Sequence, residues 1–471
     1  MEELLSAGRV AAELAAGHLA GIDAAPVWRP VSDADRAWLT GQRLPTTGRP
    51  LAQLLADVRD RVLPYPMGNG HPRFFGWVNS APSPAGVLVA PLAAALNPSC
   101  AGGEHAGALL EHSVLRWLAE LVGYPHRPGG GLLTSGASMA TIAALAAARG
   151  RAARRDGWDV RADGLAGQAP MTVYVGAEGH SCLQKAAELL GLGRRGVRTV
   201  PGDDRLRMDP AALRRMMTED IAAGLRPMCV AASAGTVGTG AVDPLDEIAD
   251  VAAEFDTWFH VDGAYGALGV LAVPEPYAGM DRADSLALDP HKWLGVPVDC
   301  GCVLVREPSA LRDTFSLVPA YLRDDAAGDL GWFAEYGPEQ TRPLRALRVW
   351  ATLSHLGRDG VVDLVGQTVA RTRELADLLA AAPDFELLAP VVTAIAAFRH
   401  RPAGVTDEAE LDAVNRAVPA AVQRRGLVFL TGARVAGRES LRACLLNPAT
   451  TTADLAILLD EIRAAARGLT P

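Results

Sequence analysis

Aromatic residues are scarce in this 471-residue chain, at 5%, and basic residues fall short of acidic ones, 45 against 54, for a net charge of -9. No local basic run offsets the deficit, so the chain lacks the electrostatic footprint of a nucleic-acid binder. Long apolar runs are missing too. The longest, Gly86 to Leu96, contains Pro91 and is about half of what spans a bilayer. Six cysteines, Cys100, Cys182, Cys229, Cys300, Cys302 and Cys444, are scattered without a CxxC pair, which argues against a disulfide scaffold and gives no metal-ligand pattern. The first residues, MEELLSAGRV, are acidic where a secretory signal would be positive. Together these absences predict a protein of the reducing cytoplasm, with no membrane, nucleic-acid or metal partner.

What is present is ordinary for a globular chain: 49% hydrophobic residues, 48 Gly and 32 Pro, over a length that buries a large core. No fixed-period repeat stands out. Up to about residue 80, helical segments alternate with Pro-rich connectors, as at Leu51 to Leu63 followed by Pro64-Tyr65-Pro66, and 1–80 is expected to be a helical arm. From about 85 to 305, apolar helices alternate with β-branched runs at Met171 to Val175, Val197 to Val200, Pro227 to Ala232, Trp258 to Val261 and Cys302 to Val305. Such alternation predicts βαβ units, hence an α/β domain around a mostly parallel sheet over 81–345. Beyond it, a long helical stretch and strand-like runs at Phe385 to Leu388, Ile395 to Arg399, Leu427 to Leu430 and Leu441 to Leu446 predict a small α+β domain over 346–471.

Several motifs carry chemistry. Gly191-Leu-Gly193-Arg-Arg-Gly196 matches GxGxxG, but a helix-like stretch precedes it and a strand follows, the reverse of a dinucleotide site, so it is read as a helix stop. Gly136-Ala137-Ser138-Met139-Ala140 lies between an apolar run and a helix; Ser138 there is a near-elbow nucleophile, a plain N-cap, or part of a phosphate site on the helix N-terminus. Asp262 ends the apolar run Trp258 to Asp262, at a strand end where a carboxylate either caps a turn or pairs with a protonated ring nitrogen. Lys292, in Asp289-Pro-His-Lys-Trp-Leu-Gly295, is either a snorkelling surface residue or a partly buried amine suited to Schiff-base chemistry. A helix-start Ser, a strand-end Asp and a Lys beside His, in this order, fit a pyridoxal phosphate site.

With those residues in hand, the sequence resembles the pyridoxal-phosphate-dependent group II amino acid decarboxylases, relatives of aromatic L-amino acid decarboxylase and glutamate decarboxylase. The resemblance runs from His71-Pro-Arg-Phe-Phe75 through Thr134 to Ser138, Glu178-Gly-His180, His260-Val-Asp262-Gly-Ala264-Tyr265 and Pro290-His-Lys292-Trp293 to Leu441-Arg-Ala-Cys444. It implies fold type I, with a seven-stranded large domain, and a homodimer whose loop from about Asp324 to Arg342 helps to close the neighbouring site. Lys292 would hold the coenzyme, Asp262 would keep its ring nitrogen protonated, His180 would stack on one ring face and Ala264 would pack on the other. Gly136, Ala137 and Ser138 would cradle the phosphate, with Thr236 and His291 assisting. Trp77 and Ser80 would meet an amino acid substrate, with an aromatic one suggested by Trp77.

Where the family pattern has other residues, this chain has Gly263, Val237 and Asp289, the last where an Asn often serves the phosphate. A mobile loop tyrosine protonates the product carbon in the decarboxylases, and Phe in its place marks oxidative aldehyde synthases. Ungapped alignment places Phe333 at that position, and Tyr336 three residues on is taken as the acid. The activity expected is thus decarboxylation to an amine, with aldehyde synthesis as the alternative and amino transfer behind it. Two other classes compete: serine hydrolysis through Ser138 with His355 or His400 as base, which lacks the final Gly of the elbow, and a non-catalytic coenzyme-binding protein, against which Lys292, Asp262 and His180 speak.

Overall fold

Seven short runs of buried, mostly small or branched apolar residues form one sheet in the computed structural model of the protein, which describes residues 1–317 and 331–469. In chain order they are β1 (Gly131–Thr134), β2 (Met171–Gly176), β3 (Val197–Val200), β4 (Arg226–Ser233), β5 (Trp258–Asp262), β6 (Ser285–Leu288) and β7 (Gly301–Val305). Their spatial order is β1-β7-β6-β5-β4-β2-β3. The run from β3 to β6 is parallel, while β7 pairs antiparallel with both β6 and β1. This is the mostly parallel, seven-stranded arrangement expected. Every residue of β1, β5, β6 and β7 is buried, so both faces are covered and the strands read as continuous apolar runs instead of alternating ones.

The helix Ala137–Arg155 lies against the sheet with Ala140, Ala143, Ala144, Ala147 and Ala148 fully buried; methyl-sized side chains let its backbone approach closely. The Gly-rich segment after β2 ends the helix Cys182–Leu189, with Gly191 and Gly193 at φ +80° and +69°, conformations that Gly adopts without a Cβ penalty. It is the helix stop that the order of elements suggested.

Two units divide the chain. One comprises Met1–Trp77, Arg373–Leu388 and Ala397–Pro471; the other comprises Val78–Thr372 and Ala389–Ala396. The N-terminal segment expected as an arm groups with the C-terminal segment in the first unit: Val27 N-H donates to the Gly426 carbonyl, Phe75 N-H to that of Phe429 and Cys444 N-H to that of Phe75. A four-stranded sheet, in the order β10-β11-β9-β8, is formed by β8 (Phe385–Leu387), β9 (Ile395–His400), β10 (Thr431–Val435) and β11 (Arg438–Cys444). Among the described residues the run Leu427 to Leu430 makes one isolated bridge, Phe74 to Phe429, and the strand forms just after it. Among the described residues no helix is long and apolar enough to cross a membrane.

Candidate active site

The site is built where strands end. β5 finishes on Asp262, which is 7% exposed, and its neighbour β6 is followed at once by Asp289-Pro-His-Lys292. Parallel pairing of Asp262 with Ala287 sets the two carboxyl ends side by side, the position where open α/β sheets place ligands. Asp262 Oδ1 accepts a hydrogen bond from Ala264 N-H at 3.1 Å, and its Oδ2 lies 3.9 Å from Cys182 Sγ. Burial, with the Asp262 charge adding to it, pushes the Cys182 thiol up to about 12, so the thiol stays protonated and points its S-H at the carboxylate.

Lys292 is half-buried, and its Nζ lies 3.0 Å from Asp289 Oδ2. The buried Asp289 carboxylate also accepts Ala137 N-H at 2.6 Å, and His291 Nε2 stands 3.7 Å away. Burial pulls the His291 imidazole below its ordinary pKa. The lysine loop is tied on several sides. The Ser80 hydroxyl donates to the Lys292 carbonyl. The Trp293 indole donates to Thr368 at 2.9 Å and its ring stacks on Tyr265 at 5.9 Å. Cys300 N-H donates to His291 Nδ1 at 3.1 Å, and Arg348 donates to the Val298 carbonyl at 2.8 Å.

Across from this loop, the helix Ala137–Arg155 opens directly after β1. Gly136 is its N-cap, Ser138 in its first turn is exposed, and a Cβ built on Gly136 would come 3.4 Å from His291. The helix dipole favours negative charge at that end, where Ala137 N-H already donates to Asp289. His180 follows β2 and is exposed, with Nδ1 accepting Cys182 N-H at 3.2 Å; the ring is therefore fixed by the residue that touches Asp262. Ala264 is half-buried, two residues past the strand-end carboxylate. Thr236, after β4, spends its hydroxyl on its own turn, at 3.0 Å from Thr239 Oγ1 and 3.2 Å from Ala241 N.

Lys292, Asp262, His291, Gly136, Ala137, Ser138, His180, Ala264 and Ser80 thus converge on one end of the sheet. Tyr336, on the segment expected to serve the neighbouring site, stands elsewhere in its own chain. It is buried, and its hydroxyl lies 3.0 Å from where a Gly129 Cβ would stand, before the start of β1. The cradle is at the other end of that strand, which puts the Tyr336 hydroxyl at least ~10 Å from it. Phe333 is buried against His112, with ring centres 4.5 Å apart, and under the Arg342 guanidinium at 5.0 Å. The loop expected from 324 to 342 lies partly outside the described residues. Trp77 belongs to the first unit, exposed and tilted against Phe74 and Phe429 at 6.0 and 5.1 Å. Among the described residues no histidine is hydrogen-bonded to Ser138, and His355 is exposed on the helical stretch Arg345–Ala381.

The profile of the pyridoxal-dependent decarboxylase conserved domain matches residues 35–401. The chain belongs to the pyridoxal-dependent decarboxylase family. The decarboxylase is 31% identical to the aromatic-L-amino-acid decarboxylase of Bacillus atrophaeus, over 99% of this chain and 96% of that one. It is 27% identical to the phenylacetaldehyde synthase of Petunia hybrida, over 95% of this chain and 91% of that one. A crystal structure of Oryza sativa TDC with PLP and tryptamine superposes with a TM-score of 0.92 at 27% identity, covering 100% of this chain and 99% of that one. The coenzyme is pyridoxal 5'-phosphate, and the activity is decarboxylation of an amino acid. The residues present fit that group: a half-buried amine, a buried carboxylate on the adjacent strand and a helix start free of side-chain bulk at Gly136.

Sequence reasoning missed two partners. Asp289 reads as a departure from the family pattern and not as the ion partner of Lys292, and nothing in the sequence links Cys182 to Asp262. Cys182 and Asp262 lie 80 residues apart, and the Asp289–Lys292 pair, though only three residues apart, depends on how the turn folds.

Proposed function

We propose that Lys292 carries the coenzyme and that the decarboxylase converts an aromatic L-amino acid to its amine and CO2, as a homodimer in a reducing cytoplasm. The observation that carries this reading is the half-buried Lys292 amine set beside the strand end that bears the buried Asp262. When bound, pyridoxal phosphate supplies an electron sink for the pair left behind as CO2 departs. Asp262, fixed by Ala264 N-H and by the Cys182 thiol, would hold a proton on the ring nitrogen. His180 and Ala264 would cover the two ring faces, the methyl of Ala264 leaving room for close approach. Gly136, Ala137 and Ser138, with His291, would hold the phosphate at the helix start, and Thr236 would assist only by turning its hydroxyl out of its own turn. Once displaced by the incoming amine, Lys292 would stay beside Asp289, able to take or return a proton at Nζ.

Ser80 would serve mainly by fixing the Lys292 carbonyl, and Trp77 is assigned to an aromatic side chain of the substrate. Holding the carboxylate perpendicular to the ring would select that bond for cleavage. The Bacillus relative's name and the tryptamine in the rice TDC crystal support an aromatic substrate. The six cysteines are buried and form no disulfide among the described residues, which suits a reducing compartment.

One observation favours a second outcome at the same site. The product carbon needs a proton, and Phe333, at the ungapped position of the loop tyrosine, offers none. Without that proton, O2 and water would carry the decarboxylated amine to aldehyde, ammonia and hydrogen peroxide, in keeping with the name of the Petunia relative.

The chain has two lysines, Lys185 and Lys292, and Lys185 is exposed on the helix Cys182–Leu189. Borohydride reduction of the holoenzyme should therefore attach the coenzyme to the Lys292 peptide alone. Label on Lys185, or an undiminished visible band in Lys292→Ala, overturns the assignment. Incubation with the twenty amino acids then separates the outcomes: amine matching CO2 supports the first, ammonia with peroxide the second. Release of CO2 from acidic amino acids only would sink the aromatic assignment.

A further inference from the structure

Asp289 occupies a position that the proposed reaction does not require. Its carboxylate is 3% exposed and takes three neighbours at once: Ala137 N-H at 2.6 Å, Lys292 Nζ at 3.0 Å and His291 Nε2 at 3.7 Å. Ala137 N-H is one of the helix-start donors that an incoming phosphate needs. We infer that the Asp289 carboxylate is a resident anion in the phosphate cradle, one that competes with the coenzyme's phosphate and makes the coenzyme readily exchangeable. The inference rests on the coenzyme reading above.

Three features leave the carboxylate no escape. Asp289 N-H donates to the Ala264 carbonyl at 2.8 Å, so its backbone is fixed to the segment that follows β5. A Cβ on Gly301 would stand 2.8 Å from Asp289 Oδ1 and would collide with the Gly136 backbone, so the space around the carboxylate is already full. Burial also removes the water that would otherwise screen one anion from another. Countercharge is limited. His291 is held toward its neutral form by burial, which leaves the Lys292 ammonium as the near cation, and that nitrogen is the one the coenzyme's aldehyde engages. Binding the coenzyme thus asks Asp289 to share Ala137 N-H with a phosphate while its free ammonium partner is taken. Without coenzyme, the ammonium, carboxylate and N-H form a closed set. Loading of the enzyme would then follow the coenzyme concentration around it.

The test is an equilibrium titration of the apoenzyme with pyridoxal phosphate and, separately, with pyridoxal, which lacks the phosphate. Wild type is compared with Asp289→Asn, which keeps the shape and removes the charge. The variant should bind pyridoxal phosphate about tenfold more tightly or better, and pyridoxal by no more than about threefold. Inorganic phosphate should raise the melting temperature of the apo variant more than that of wild type. Equal gains for both aldehydes would place the effect at Lys292 and overturn the inference, as would unchanged or weaker pyridoxal phosphate binding in the variant. Should Asp289→Asn not fold, Asp289→Ser is read in the same way. If wild type binds neither aldehyde, the coenzyme assignment itself falls, a result distinct from a variant that binds no better than wild type.

Discussion

Acid should loosen the strand that carries Asp262, and His260 is the group through which it acts. His260 is fully buried in β5, two residues before Asp262. Its Nδ1 lies 2.8 Å from Ser285 Oγ, an oxygen that also takes the Trp258 indole N-H at 2.8 Å, and its Nε2 has no hydrogen-bond partner among the described residues. Burial holds the imidazole down at about 4 against its ordinary 6.5, even though Asp262 pulls the other way. The sign follows from proton counting. Between pH 6.5 and about 4 the unfolded chain takes up a proton that folded His260 refuses, so this contribution is full above pH 6.5 and is lost as pH falls. At 1.36 kcal/mol per pH unit, the gap amounts to about 3 kcal/mol. Urea unfolding of the apoenzyme at about pH 7 and about pH 4, for wild type and His260→Asn, measures it. Other histidines held low by burial, His71, His112, His126, His291 and His400, push in the same direction in both proteins. Their share cancels in the difference between the two. The same loss of stability in wild type and variant would refute the argument.

Two further predictions concern the scaffold. Gly301→Ala drives a methyl into the Gly136 backbone and to 2.8 Å from Asp289 Oδ1; the crowding should cost about 1–3 kcal/mol and weaken coenzyme binding in an equilibrium titration, and wild-type affinity would contradict it. Arg342 and Glu111 are each 1% exposed and meet at 2.5 Å, with Arg342 also donating to the carbonyls of Leu133 at 2.6 Å and Cys100 at 3.0 Å. Arg342→Ala strands the Glu111 charge and should cost about 3–5 kcal/mol; a double-mutant cycle on urea midpoints checks it, and a loss below about 1 kcal/mol would show that the pair is not holding β1.

The elements that could be read along the chain are those whose signal is local. β2, β4 and β5 are runs of branched and apolar residues, and they form within a residue or two of where those runs lie. β6, Ser285-Leu-Ala-Leu288, was overlooked because four residues without a β-branched side chain carry no strand preference of their own; its pairing with β5 and β7 decides its conformation. Leu427 to Leu430 has the composition of a strand, but it faces the irregular segment around Phe74 and makes a single bridge. The adjacent Thr431–Val435 instead pairs with Arg438–Cys444 across Ala436-Gly437, both at positive φ.

The site divides in the same way. Asp262, Lys292 and Ser138 were legible because each is a chemically distinct residue at an element boundary. Their partners were not, because a hydrogen bond from Ala137 to Asp289 spans 152 residues and the contact of Cys182 with Asp262 spans 80. Those distant contacts determine what the lysine can do. With its carbonyl held by Ser80, its neighbouring indole by Thr368 and its loop by Arg348, Lys292 has little backbone freedom, and its amine can move only by turning about its own side-chain bonds. The carboxylate beside it is equally fixed. A swing of the amine toward a bound aldehyde therefore breaks one defined ion pair and leaves the rest of the loop in place, so the chemistry can proceed on a scaffold that need not rearrange.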